Sequence, residues 1–203
     1  MEKNWKYLCL TLWLVLASGM RLAAQDLPRI SLPDSVVVPR AYLDAMPRRK
    51  QDALVVVYGT GQSATRSLKG KALQLFPGGK VRKYTIEETF ARKVRLKRIL
   101  LSEDAQRTIW EFIERGAREG KFTLDPDRLN LATHPSPGNL GLATSRFSSH
   151  SWTVRLELYR GRFFRRYYSA CPELFIADKC PGWTERQRLL DLIAALQALP
   201  GPE

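Results

Sequence analysis

Two stretches of this chain alternate apolar and charged residues with a period of two. At 93–101 (KVRLKRILL), Val94 and Leu96 interleave with Lys93, Arg95 and Lys97; at 151–159 (SWTVRLELY), Val154, Leu156 and Leu158 interleave with Arg155 and Glu157. Successive side chains of a strand point to opposite faces, so this pattern predicts half-buried strands and opposes a helix. The β-branched run 53–58 (ALVVVY) predicts a buried strand, stopped by Gly59 and Gly61. A polar loop over 62–70 then leads to an apolar stretch at 72–76. Pro77-Gly78-Gly79 is a turn with a mechanism, because Pro fixes φ and Gly accepts positive φ, and 80–87 (KVRKYTIE) returns as its hairpin partner. Arg160-Gly161 joins 151–159 to a second arm at 162–169 (RFFRRYYS), and 122–124 predicts a short extra strand.

Helical spacing appears twice. Ala105, Ile109, Phe112, Ile113 and Ala117 share one stripe, with Trp110 at its edge. Ser102 precedes it as a cap, Glu103 and Asp104 favour the dipole of the first turn, and Gly120 is placed to end the helix. The second stripe is Leu189, Leu190, Leu192, Ile193, Leu196 and Leu199, with Thr184 and Gln187 as a capping box and Pro200 as the stop. Strands, helix, strands, helix is the order of an α+β fold. The expectation is a mainly antiparallel sheet with two helices, about 103–119 and 184–199, packed on one face. Val94, Leu96, Val154, Leu156 and Leu158 should then meet the helices, and Lys93, Arg95, Lys97 and Arg155 should occupy the opposite face.

The flanks carry a different message. Lys3 and Lys6 precede the apolar run 8–15 (LCLTLWLV), and small residues lead to Ala23-Ala24, the layout of a signal peptide cleaved after Ala24. The run is shorter than the ~20 residues that span a bilayer. A periplasmic or secreted protein is therefore expected, with a signal peptide at 1–24, a Pro-containing lead-in at 25–52 and one domain at 53–200. Val36, Val37 and Val38 in the lead-in suggest a short edge strand. The Ser-, Thr-, Gly- and Pro-rich stretch at 131–150 reads as a long flexible loop. Net charge is +13, and losing the first 24 residues leaves +11, since Lys3, Lys6 and Arg21 outweigh Glu2 by two. Such an excess attracts anions. Export also places Cys171 and Cys180 in an oxidising compartment, where a pair at this spacing predicts a disulfide.

Enzyme chemistry finds little support. His150 sits among Ser148, Ser149 and Ser151, yet no GxSxG elbow accompanies it, so a hydrolase using His150 is the weaker reading. Gly59-Thr60-Gly61 lacks the third glycine of a dinucleotide turn, and Gly70-Lys71 is followed by Ala72 where a phosphate loop needs Ser or Thr. Asp125-Pro126-Asp127 opens like a calcium loop, but Leu129 fills the next ligand position. His134 and His150 are far from the cysteines, which argues against a metal centre. No catalytic residue, metal or cofactor is assigned. The remaining constellation is a basic strand face of Lys93, Arg95 and Lys97, joined by Arg155, Arg165 and Tyr167 if their strands are neighbours. Charge-assisted contacts and stacking would suit such a face to an anionic glycan, a glycolipid or an acidic protein. Export argues against nucleic acid as the partner.

Two resemblances accompany this reading. Residues 53–61 (ALVVVYGTG) resemble the VVVxGYGT stretch that opens the plug domain of TonB-dependent outer-membrane receptors. The glycine order differs over these nine residues and no barrel follows, so no function is implied. The plan of 71–199, with Leu101-Ser102-Glu103 opening one helix and Leu189 to Leu196 in the last, resembles small exported bacterial α+β domains of unknown function. That likeness implies a fold and no activity. The expectation is a non-enzymatic binding domain for an anionic envelope component or protein partner. The alternative is a structural or assembly protein of the envelope.

Overall fold

The computed structural model describes residues 26–32, 45–46, 53–62, 68–89, 93–129, 152–161, 163–177 and 179–201. The leader at 1–24, the Val36–Val38 strand and the loop at 131–150 with His134 and His150 lie outside them.

Six antiparallel strands form one sheet: β1 (Leu54–Gln62), β2 (Leu68–Leu75), β3 (Val81–Glu88), β4 (Val94–Ile99), β5 (Trp152–Arg160) and β6 (Phe163–Ala170), in the order β4-β3-β2-β1-β5-β6. Among the described residues are also helices α1 (Glu103–Arg118), α2 (Pro126–Leu129), α3 (Pro172–Ala177) and α4 (Trp183–Gln197). This is the α+β architecture that the alternation and the two helical stripes imply. Ser102 accepts the Ala105 N–H at 3.3 Å and so caps α1.

The main core lies between one face of the sheet and α1 and α4. Leu54, Val56 and Tyr58 of β1, Leu73 and Leu75 of β2, and Val154, Leu156 and Leu158 of β5 meet Ile109 and Ile113 of α1 and Leu189, Leu192, Ile193 and Leu196 of α4. Trp110, expected at the rim of the α1 stripe, is buried in this core, while Phe112 is only partly covered. Leu27 and Ile30, within the expected lead-in, are buried there too.

Three local expectations are corrected. Gly59 and Gly61 do not stop β1; the strand runs through them, and Gly59 lies directly opposite Gly70 of β2. A Cβ on Gly59 would overlap the Lys69 carbonyl, and one on Gly70 the Tyr58 carbonyl, so this crossing needs two glycines for close backbone approach. The segment 122–124 is not a strand. Phe122 and Leu124 are core residues, held because Tyr167 donates its hydroxyl to the Phe122 carbonyl (2.8 Å) and accepts the Leu124 N–H (3.2 Å). Finally, α4 starts one residue before Thr184 and has no side-chain cap. Its N-cap is Gly182 with φ 80°, where a Cβ would strike the Arg128 carbonyl.

A further correction concerns strand faces. Val94 and Leu96 do not meet the helices. They pack against a second apolar layer on the other side of the sheet, formed by Met46, Val55, Val57, Leu68, Ala72, Tyr84, Ile86 and Tyr159. The register requires this: Leu96 pairs with Ile86 and Val94 with Glu88, whereas Arg95 pairs with Glu87 on the helix side.

The expected disulfide is also not seen. Cys171 and Cys180 are both buried without a bond joining them. Residues 172–177 between them form α3, and backbone hydrogen bonds flank it: Leu174 N–H to the Cys171 carbonyl (3.0 Å) and Cys180 N–H to the Phe175 carbonyl (2.9 Å).

Candidate functional site

Pairing of β2, β3 and β4 places two cross-strand rows on the helix side of the sheet. One row is Lys69, Glu87 and Arg95; the next is Lys71, Thr85 and Lys97. Directly paired residues have Cβ atoms about 5 Å apart, and rows two residues apart lie about 7 Å apart, so six polar side chains share one patch. Lys69, Thr85, Arg95 and Lys97 are exposed. Lys69 reaches Glu87 at 3.6 Å, which leaves the patch with four cations against one carboxylate.

The end of α4 reaches one corner of the patch, at Lys71. Three sheet side chains receive the end of that helix: Tyr58 donates to the Leu196 carbonyl (2.9 Å), Lys71 to that of Gln197 (3.4 Å), and Lys83 to those of Leu199 (2.9 Å) and Pro200 (2.7 Å). Cations favour the carbonyl-rich end of a helix, which explains why lysines occupy these positions. Lys83 lies wholly out of solvent, and burial, reinforced by repulsion from Lys71, pushes its pKa down from 10.5 to about 8. Burial pushes the Tyr58 hydroxyl in the opposite direction, raising its pKa.

Only part of the expected basic face is brought together. Arg95 and Lys97 share the patch, and Lys93 is exposed just before β4. Arg155 lies on the opposite face of β5, with its side chain 14% exposed and its Nε 3.9 Å from Glu157. Arg165 and Tyr167 are on the helix side but on β6, the other end of the sheet among the described residues, five strand spacings or about 24 Å from β4. Tyr167 is buried in the core, and Arg165 donates to its hydroxyl at 3.2 Å.

With glycine taken to end the strand, 62–70 reads as a loop that contains Lys69, and Lys71 falls between that loop and the apolar stretch at 72–76. The signal was present: stepping back by twos from Leu75 through Leu73 reaches Lys71 and Lys69 on the same face.

A second charged group sits on the other face of β5 and β6. Glu157 is completely buried, accepts from the Tyr159 hydroxyl at 2.6 Å and from Arg166 Nε at 2.9 Å, and lies beside Arg155. Tyr159 stacks on Phe164 with ring centroids 4.7 Å apart, and Arg166 lies over the same Phe164 ring. This is a carboxylate compensated inside the protein, not one presented to a substrate.

Among the described residues, no group of three or more His, Cys, Asp or Glu is placed to hold a metal ion, and no helix is long and apolar enough to cross a membrane. Comparison of the chain with protein-family models, with curated proteins and with solved structures finds no match. The patch offers ammonium and guanidinium donors to an anion, and Thr85 directs its hydroxyl to the Lys97 carbonyl (3.4 Å).

Proposed function

We propose that this protein is an exported, non-enzymatic binding domain whose β2–β3–β4 face takes an anionic component of the envelope or an acidic protein. The observation that carries this reading is the in-register ladder of Lys69, Lys71, Arg95 and Lys97, of which Lys69, Arg95 and Lys97 are exposed and Lys71 borders the end of α4. The four cations stand on two rigid strands, β2 and β4, with β3 between them, so the backbone that carries them is already positioned and what opposes binding is the ordering of the side-chain stems. Like charges held this close repel one another, and an anion relieves that repulsion. Arg155, Arg165 and Tyr167 have structural roles instead and are left out of the site.

Titration with inorganic polyphosphate at two salt concentrations tests the reading. Affinity should fall as salt rises, because exposed charges are screened over about 8–10 Å in ordinary buffers. Reversing two charges, Arg95→Glu with Lys97→Glu, should weaken binding at least tenfold, about 1.4 kcal/mol. Arg165→Glu on β6 should leave it within about twofold. Binding that ignores salt, or that survives the double reversal, would rule the face out.

A further inference from the structure

β4 is the last strand of the sheet among the described residues, and Arg95, Lys97 and Arg98 on it are exposed. Its hydrogen-bonding phase can be read from the chain. Thr89 N–H donates to the Lys93 carbonyl at 3.0 Å, so 89 and 93 form a hydrogen-bonded pair. Antiparallel pairs alternate between bonded and non-bonded, and the register carries this forward to Glu87 with Arg95, Thr85 with Lys97 and Lys83 with Ile99. The backbone groups of Lys93, Arg95, Lys97 and Ile99 thus turn inward to β3. Those of Val94, Leu96 and Arg98 turn outward, away from the sheet.

The edge therefore presents three things at once. It has outward amides and carbonyls at 94, 96 and 98. On the helix side it has the cations Arg95 and Lys97. On the other face it has Val94 and Leu96, both half-buried and continuous with the second apolar layer. A second copy of the same strand is a poor occupant, since two β4 edges paired about a two-fold would oppose Arg95 and Lys97 with themselves.

We infer that the β4 edge accepts an extended acidic segment of a partner protein as a seventh, antiparallel strand. Its acidic side chains lie opposite Arg95 and Lys97, and its apolar side chains lie opposite Val94 and Leu96. Main-chain bonds to the outward groups give affinity, and the alternation of acid and apolar residues gives specificity. This inference rests on the anion-binding reading of the same face and narrows it to one class of partner.

The test uses the full chain and nine-residue peptides alternating Glu and Val, with inorganic polyphosphate as the non-peptide anion. In an antiparallel addition the Val residues, opposite 94, 96 and 98, direct their N–H groups at β4, whereas the Glu N–H groups point away. N-methylation of the Val residues should weaken binding at least tenfold relative to N-methylation of the Glu residues, at identical charge. Amide exchange at Val94, Leu96 and Arg98 should slow when the unmodified peptide is bound. If polyphosphate binds but the two methylated peptides bind equally, strand addition is overturned and the anion-binding face stands. If neither polyphosphate nor any peptide binds, the face itself is wrong and the inference falls with it.

Discussion

On β5 and β6, Glu157 has lost all contact with solvent and is held by Tyr159, Arg166 and Arg155. On β2, β3 and β4 of the same sheet, Lys69, Arg95 and Lys97 stand in water with Glu87 as the single carboxylate among them. Both arms are built from alternating strands rich in Arg and Lys, yet charge does opposite work in each. A buried carboxylate survives only when hydrogen bonds and a counter-charge replace its hydration, so the Glu157 group is tied to folding. An exposed cation needs no such compensation and is free to meet a ligand. What separates the arms is coverage: the β5–β6 charge is enclosed, whereas α4 ends beside the other arm.

That contrast can be broken most severely at Glu157. Glu157→Ala should lower stability by about 3–5 kcal/mol, because it leaves the Arg155 and Arg166 guanidinium groups without their carboxylate. Denaturant unfolding measures this, and a loss below about 1 kcal/mol would mean that the buried group is not structural. Next comes Leu156→Ala, which opens a cavity under α4 and should cost about 2–5 kcal/mol. Leu96→Ala, on the half-covered edge strand, should cost roughly 1 kcal/mol or less. Equal losses for the two leucines would show that the arms are not differently covered.

A smaller effect lies at the junction of α4 with the ladder. In the folded protein Lys83 releases its proton near pH 8, while the unfolded chain holds it until about 10.5. Between those values the unfolded state binds more protons, so stability should rise with pH. Above pH 10 the raised Tyr58 pKa works in the other direction, because the unfolded chain ionises first. Lys83→Met should flatten the rise between pH 8 and 10 in unfolding experiments; an unchanged slope would assign it to another group. The smallest expected effect is that of Arg95→Ala, within about 0.5 kcal/mol for folding.

How far the chain could be read follows the same division. Strand β5, the β2–β3 hairpin and the cap of α1 were legible because one dominant local signal marks each of them. The face of Val94 and Leu96 was not, since a sheet apolar on both sides gives an edge strand two choices of core. The unbroken run of Val55, Val56 and Val57 carried a hint of that two-sided burial. The paired glycines 59 and 70 misled for a related reason: a glycine needed for close approach looks, in one strand, like a glycine that ends it. Half of the ladder was hidden with them, because Lys69 and Lys71 join Arg95 and Lys97 only through the register of three strands. Arg155 and Tyr167 looked like surface groups by alternation alone, and only their tertiary neighbours reveal what covers them.

The most direct measurement compares two variants by the same pair of readouts, polyphosphate affinity and unfolding midpoint. Arg95→Glu with Lys97→Glu should lose at least about tenfold in affinity, a difference of 1.4 kcal/mol, and keep its midpoint. Glu157→Gln should lose stability and, while folded, keep its affinity. Loss of affinity in the Glu157 variant alone, with the charge-reversed ladder binding as before, would place the anion site on the wrong arm of the sheet and contradict the account.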